Sequence, residues 1–112
     1  MIVKITKSPL MHKRYRVFMD NGRHYDFGFY GGDTYLDHHD KIKRMNYWRR
    51  HMANDTEYYL VGNLIPSASL FSAYLLWGKH TSLKDNIKEL NKLWDDKHKG
   101  KEEFDINFFL NI

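Results

Sequence analysis

KRYRVFMDNGRHYDFGFY, residues 13–30, is the stretch that decides the fold. Residues 13–19 and 23–30 are two runs rich in β-branched and aromatic side chains, with Asp20-Asn21-Gly22 between them. Asn-Gly flanked by such runs predicts a β-hairpin, because a type I′ turn needs positive φ at both central residues and these two adopt it most readily. Side chains alternate along a strand, so Tyr25, Phe27 and Phe29 share one face of the second arm while His24, Asp26 and Gly28 take the other. The aromatic face is the core candidate. Upstream, IVKITK at 2–7 predicts a further strand beside the hairpin.

Downstream, Gly31-Gly32-Asp33-Thr34 punctuates the chain, and residues 35–52 take up a helical period. At 100° per residue Ile42, Met45, Trp48, Arg49 and Met52 fall on one arc, which predicts the buried face. Asp40, Arg44, Tyr47 and His51 form a polar stripe opposite it. Asn54-Asp55-Thr56 ends this helix, Tyr58 to Val61 reads as a short strand, and Gly62-Asn63 turns the chain. Ser67 is placed to cap a helix reaching Trp77 that is apolar on nearly every side, with Gly78 as its stop. Ser82 caps another helix, with Asp85 at the capping-box spacing and Leu83, Ile87, Leu90 and Trp94 on one stripe. A charged connector at 95–103 leads to residues 104–112, where Phe104, Ile106, Phe108, Leu110 and Ile112 alternate as in a strand. The expected architecture is a small single α+β domain over 1–112. It comprises a hairpin region (1–30) with its antiparallel sheet packed on about three helices, a mainly helical region (35–94), the connector, and a C-terminal strand (104–112).

At 112 residues the chain has material for one modest core, and its 42% hydrophobic and 16% aromatic content is too rich for a disordered segment. With no cysteine, disulfide scaffolds, thiolate metal sites and cysteine nucleophiles are excluded together, which favours a reducing, intracellular setting. The longest apolar run, Leu70 to Trp77, is far shorter than the roughly 20 residues of a membrane span, and Met1 is followed by Lys4 and Lys7 without an apolar signal core. A soluble, unsecreted protein is expected. The net charge of +4 is uneven: residues 1–52 carry 11 Lys/Arg against 5 Asp/Glu, a net of +6, and residues 53–112 carry 7 against 9, a net of −2. The front half therefore suits phosphate or an acidic protein surface.

Catalytic and metal signatures are thin. His38, His39, Asp40 and His51 have metal-ligand side chains, but Asp40 and His51 stand three turns apart on one helix, roughly 16 Å at 1.5 Å per residue. No glycine-flanked serine offers a nucleophile elbow, and Gly28, Gly31 and Gly32 match neither the dinucleotide nor the Walker spacing, so they read as turn glycines. Asp33, Asp37 and Asp40 form the acidic trio from which general acid and base would be drawn. The sequence thus predicts no catalytic residue, no metal, no cofactor and no small-molecule substrate. Two readings fit the polar stripe. In one, Asp40 and Arg44 pair at i,i+4 and Tyr47 and His51 bond neighbouring chain, ordering the domain. In the other, Lys41, Lys43, Arg44, Arg49 and Arg50 form a cationic helix, with Tyr47 and Trp48 interleaved, for phosphates or a partner protein. The terminal strand, with Phe109 on its polar face, adds an edge open to a second chain.

RYRVFMDNGRHYDFGFYGGDTYLDHHDKIKRMNYWRRH, followed by SLFSAYLLWGKHTSLKDNI, resembles a family of small uncharacterised proteins of large nucleocytoplasmic DNA viruses. That family has a hairpin leading to an F-G…D-Y-T…H-x-D segment, a Y-x-x-R-H helix and a W-L-L-W-N-K-x-S-L box. The matching positions span about residues 14–88: Phe27, Gly28, Asp33, His38, Asp40, Tyr47, Arg50, His51, Leu75, Leu76, Trp77, Lys79, Ser82 and Leu83. Tyr74 stands where the box has its first tryptophan, and Asp33-Thr34-Tyr35 departs from the usual order. The resemblance implies a viral setting without an assigned activity. The expectation is a non-enzymatic structural or interaction protein, a minor capsid or cement component of the virion or virus factory in the host cytoplasm, that joins viral structural proteins or copies of itself. The alternative is a basic intracellular nucleic-acid-binding protein.

Overall fold

The computed structural model describes the backbone of residues 1–110 and the side chains of residues 1–98. Three strands, β1 (Ile2–Lys7), β2 (Lys13–Met19) and β3 (His24–Phe29), form an antiparallel meander in the order β1-β2-β3. The hairpin has Tyr15 opposite Phe27 and Val17 opposite Tyr25. Its turn differs from the expected type: Gly22 N–H donates to Met19 O, Met19 N–H donates to Arg23 O, and only Gly22 takes positive φ. One extra residue in the loop makes a single left-handed glycine sufficient. Val17 and Phe27 are fully buried on the inner face. On the outer face Arg16 sits directly across from Asp26 and binds it with two bonds of 3.0 Å. Phe29 has the parity of Phe27 but lies beyond the covering helices, 77% exposed.

The helices are α1 (Tyr35–His38), α2 (Lys41–Met52), α3 (Asp55–Gly62), α4 (Ala68–Phe71) and α5 (Leu83–Leu110), with a π-helical segment, Ser72–Leu76, continuing α4. Ser67 caps α4 through its hydroxyl, as the sequence suggests, and Leu70, Phe71, Leu75 and Leu76 form the centre of the core. The sheet packs on one side of this segment and α5 packs through Leu90, with Leu83, Ile87 and Trp94 around it. The protein is an α+β domain.

Four local expectations are corrected. The helix over 35–52 is broken, since His39 takes φ 56° and Asp40 caps α2 by accepting from the N–H groups of Ile42 and Lys43. Residues 58–61 lie in α3 rather than a strand, because Asn54 accepts from Glu57 N–H and Asp55 and Glu57 favour the positive end of a first helical turn. The connector at 95–103 and residues 104–110 of the expected terminal strand continue α5, while 111–112 lie outside the described residues. Between Trp94 and Leu110 no proline interrupts the chain and Gly100 is the one weak helix former of its class, so propagation wins over an alternating pattern of only nine residues. Finally, α2 is rotated relative to the arc drawn from hydropathy: Tyr47 is buried, while Ile42 and Met45 are 67% and 50% exposed.

Candidate functional site

The rotation of α2 follows from what lies beneath it. The π-helical segment ends at Leu76 with Trp77 as its cap, and the carbonyls of Trp77 and Gly78 just past it need donors that the helix itself does not supply. Arg44 Nε–H is shared between Trp77 O at 3.0 Å and Gly78 O at 2.8 Å, and Trp48 Nε1–H donates to Trp77 O at 2.8 Å. A cation at a helix carboxyl end also meets the negative pole of the peptide dipoles. Tyr47 lies flat on Trp77, ring centroids 4.5 Å apart and planes 5° from parallel, with His51 against its other side at 4.1 Å. His51 Nδ1 is 2.8 Å from Glu57 Oε2 on α3. Burial, reinforced by the Glu57 carboxylate and opposed by Arg50, pushes the Tyr47 phenol far up, so it remains a hydroxyl donor at neutral pH.

The candidate residues separate into three groups. Arg44, Tyr47 and His51 face inward and tie α2 to the π-helical segment and α3. Asp40 forms no ion pair with Arg44, because its carboxylate is used at the α2 cap and Arg44 points to carbonyls. Lys41, Lys43, Arg49 and Arg50 are exposed and have no acidic partner among the described residues; Arg44 does not belong with them.

The acidic trio is likewise divided. Asp37 accepts both Arg14 guanidinium nitrogens at 2.9 Å and completes a capping box with Thr34. Hydrogen bonds from Arg14 first, then Thr34, hold its carboxyl well below the usual range. Asp40 is also lowered, by the N–H groups at its cap. Both shifts keep the carboxylates charged, the opposite of what a general acid needs. Asp33 alone stays on the surface without a structural partner among the described residues. Among the histidines, His38 Nδ1 accepts from Asp40 N–H, which puts the neutral ring's proton on Nε2, between Tyr35 and Trp77. That Nε2 is buried and has no partner among the described residues. His39 Nε2 lies 3.1 Å from Leu36 O. No three metal-ligand side chains converge among the described residues.

Sequence reasoning missed two asparagines that hold the architecture. Asn86, 1% exposed, donates to Leu75 O and His80 O and accepts from His80 N–H. Asn91 accepts from Ile2 N–H at 2.8 Å and donates to Ile2 O at 3.1 Å, so α5 pairs with β1 as a short mock strand. Their only sequence signal is an amide at helix positions beside the apolar stripe.

Two adjoining cavities open beside α2 and the hairpin. The larger, about 630 Å³, lies between the β1–β2 turn and the β3–α1 loop, with Leu10, Met11, Tyr15 and Tyr30 in its walls. The smaller, about 360 Å³, is floored by Tyr47, Leu76 and Trp77 and edged by Lys13, Arg50 and His51. They share Lys13, Gly32 and Asp33. Of the motif positions quoted in the sequence analysis, Gly28, Asp33, Tyr47, Arg50, His51, Leu76 and Trp77 all border the smaller cavity.

The site therefore defines a small α+β domain with a basic, partly apolar surface around a modest cavity. Residues 3–51, from β1 into the last turn of α2, match the model of a family of unknown function, DUF5754. Neither the curated proteins nor the solved structures contain a match to the chain. No helix among the described residues is long and apolar enough to cross a membrane.

Proposed function

We propose that the chain is a non-enzymatic structural or interaction protein that engages a protein partner through the outward face of α2. In the viral setting suggested by its sequence pattern, this makes it a minor capsid or cement component of a large DNA virus, in the virion or the virus factory. The observation that carries the reading is the composition of that face: Ile42 and Met45 stand in solvent between Lys41, Lys43 and Arg49. Solvent-exposed apolar side chains flanked by cations suit an acidic protein surface with apolar anchors. Further large apolar side chains are exposed at Met11, Phe29, Tyr30 and Tyr58.

Nucleic-acid binding is supported by the same cations, but α2 itself presents no stacking group beside them, since Tyr47 is buried and the Trp48 indole is committed to Trp77 O. Cross-linking mass spectrometry on purified particles of the encoding virus tests the choice. Links from Lys41 and Lys43 to an acidic segment of another particle protein are expected. Linkage of these lysines to nucleic acid alone overturns the reading.

A further inference from the structure

We propose that the 360 Å³ cavity between β3, α2 and the π-helical segment binds a nucleoside monophosphate, with its phosphate between Arg50 and Lys13, the Tyr47 hydroxyl donating to it and the base against Phe29. Tyr47 is only 9% exposed, yet its hydroxyl has no hydrogen-bond partner among the described residues and is not sealed off, since Tyr47 floors the cavity. A hydroxyl that opens on the cavity without a protein partner leaves a donor for whatever fills the space. Ser69 and Ser72 add two more hydroxyls in the wall that bond no side chain or carbonyl among the described residues.

The charges define the ligand. Lys13 comes from β2 and Arg50 from α2, so two cations reach the cavity from separate elements, neither paired with a carboxylate among the described residues. Glu57 is occupied by His51. A fork of guanidinium donors, a point-like ammonium and several hydroxyls match the acceptor-rich surface of a phosphomonoester better than a single carboxylate. Asp33 at the rim is an acceptor suited to sugar hydroxyls, and Phe29 offers an open ring for stacking. The volume is at the lower end of small-molecule sites, roughly 300–1,000 Å³, which suits one nucleotide and not a dinucleotide. One wall is a π-helical segment, a distortion that proteins commonly keep at functional sites. This ligand is independent of the partner proposed for the outer face of α2.

Titration of the full chain with AMP, followed by amide and side-chain NMR shifts, tests the assignment. Saturable shifts centred on Tyr47, Arg50, Ser69 and Ser72 are expected, with adenosine and inorganic phosphate each binding at least about tenfold more weakly than AMP. Tyr47→Phe preserves the stack on Trp77 and removes only the hydroxyl; it is expected to weaken AMP at least about fivefold, and Arg50→Gln about tenfold, with thermal unfolding of both variants unchanged. Absence of saturable binding by AMP overturns the proposal. So does inorganic phosphate binding as tightly as AMP, or equal AMP affinity in the wild type and both variants.

Discussion

Gly78 has no room for a side chain: a Cβ there falls 2.1 Å from Tyr74 O and 2.7 Å from Asn86 Oδ1. Gly62 has nothing within 4 Å and ends an exposed helix. Gly78→Ala is therefore expected to destabilise by at least about 1–3 kcal/mol, and Gly62→Ala to be neutral or stabilising by up to about 1 kcal/mol, measured by urea unfolding. The ion pairs make a second prediction. The Asp37 and Asp26 carboxyls are lowered in the folded state, chiefly by Arg14 and Arg16 respectively. Groups of this sign contribute stability that is complete above the ordinary carboxylate value, about 3.9, and is lost as pH falls below it. Asp37→Asn should flatten the acid limb of stability against pH below about 4 while lowering stability at pH 7. An acid limb as steep as that of the wild type would show that the Arg14 pair contributes nothing.

At the scale of elements, α2 is held by donors more than by grease. Arg44→Met removes the N–H shared by Trp77 O and Gly78 O and is expected to cost about 1.5–3 kcal/mol, whereas Lys43→Met, one residue away and exposed, should stay within about 0.5 kcal/mol. Asn91→Leu removes both bonds to Ile2, and hydrogen exchange should then show faster exchange of the β1 amides while Val17 and Phe27 stay protected.

These two cases also mark what the sequence made legible. The hairpin was readable because Asn-Gly and alternation agree, and the α5 stripe because four large apolar residues recur at helical spacing. The face of α2 was not. Hydropathy ranks Arg44, Tyr47 and His51 as polar, yet Tyr47 buries a broad ring and Arg44 meets carbonyls stranded at the end of another helix. That demand is invisible until the π-helical segment is placed beside α2. The terminal strand failed for a related reason: period-2 alternation in a short segment loses to a helix already nucleated at Ser82 and Leu83. The exposure of Lys41, Lys43, Arg49 and Arg50 could be read directly from the sequence. The cavity beneath them could not, because its walls come from residues 13 to 77 and converge only in the fold.

For the whole molecule, α2 divides labour between its faces. The inner face closes the domain over the π-helical segment; the outer face carries cations without an acidic partner among the described residues, and exposed Ile42 and Met45. Reversing charge at Lys41 and Lys43 leaves every inward bond in place, so Lys41→Glu with Lys43→Glu should fold with an unchanged melting temperature to within about 2 °C. The direct test of the proposed virion role is quantitative mass spectrometry of gradient-purified particles of the virus proposed to encode the chain, comparing wild type with this double variant. The account expects the wild type at a constant ratio to the major particle proteins across the gradient and the variant depleted at least about tenfold. Absence of the wild type from particles, or equal retention of the variant, would contradict it.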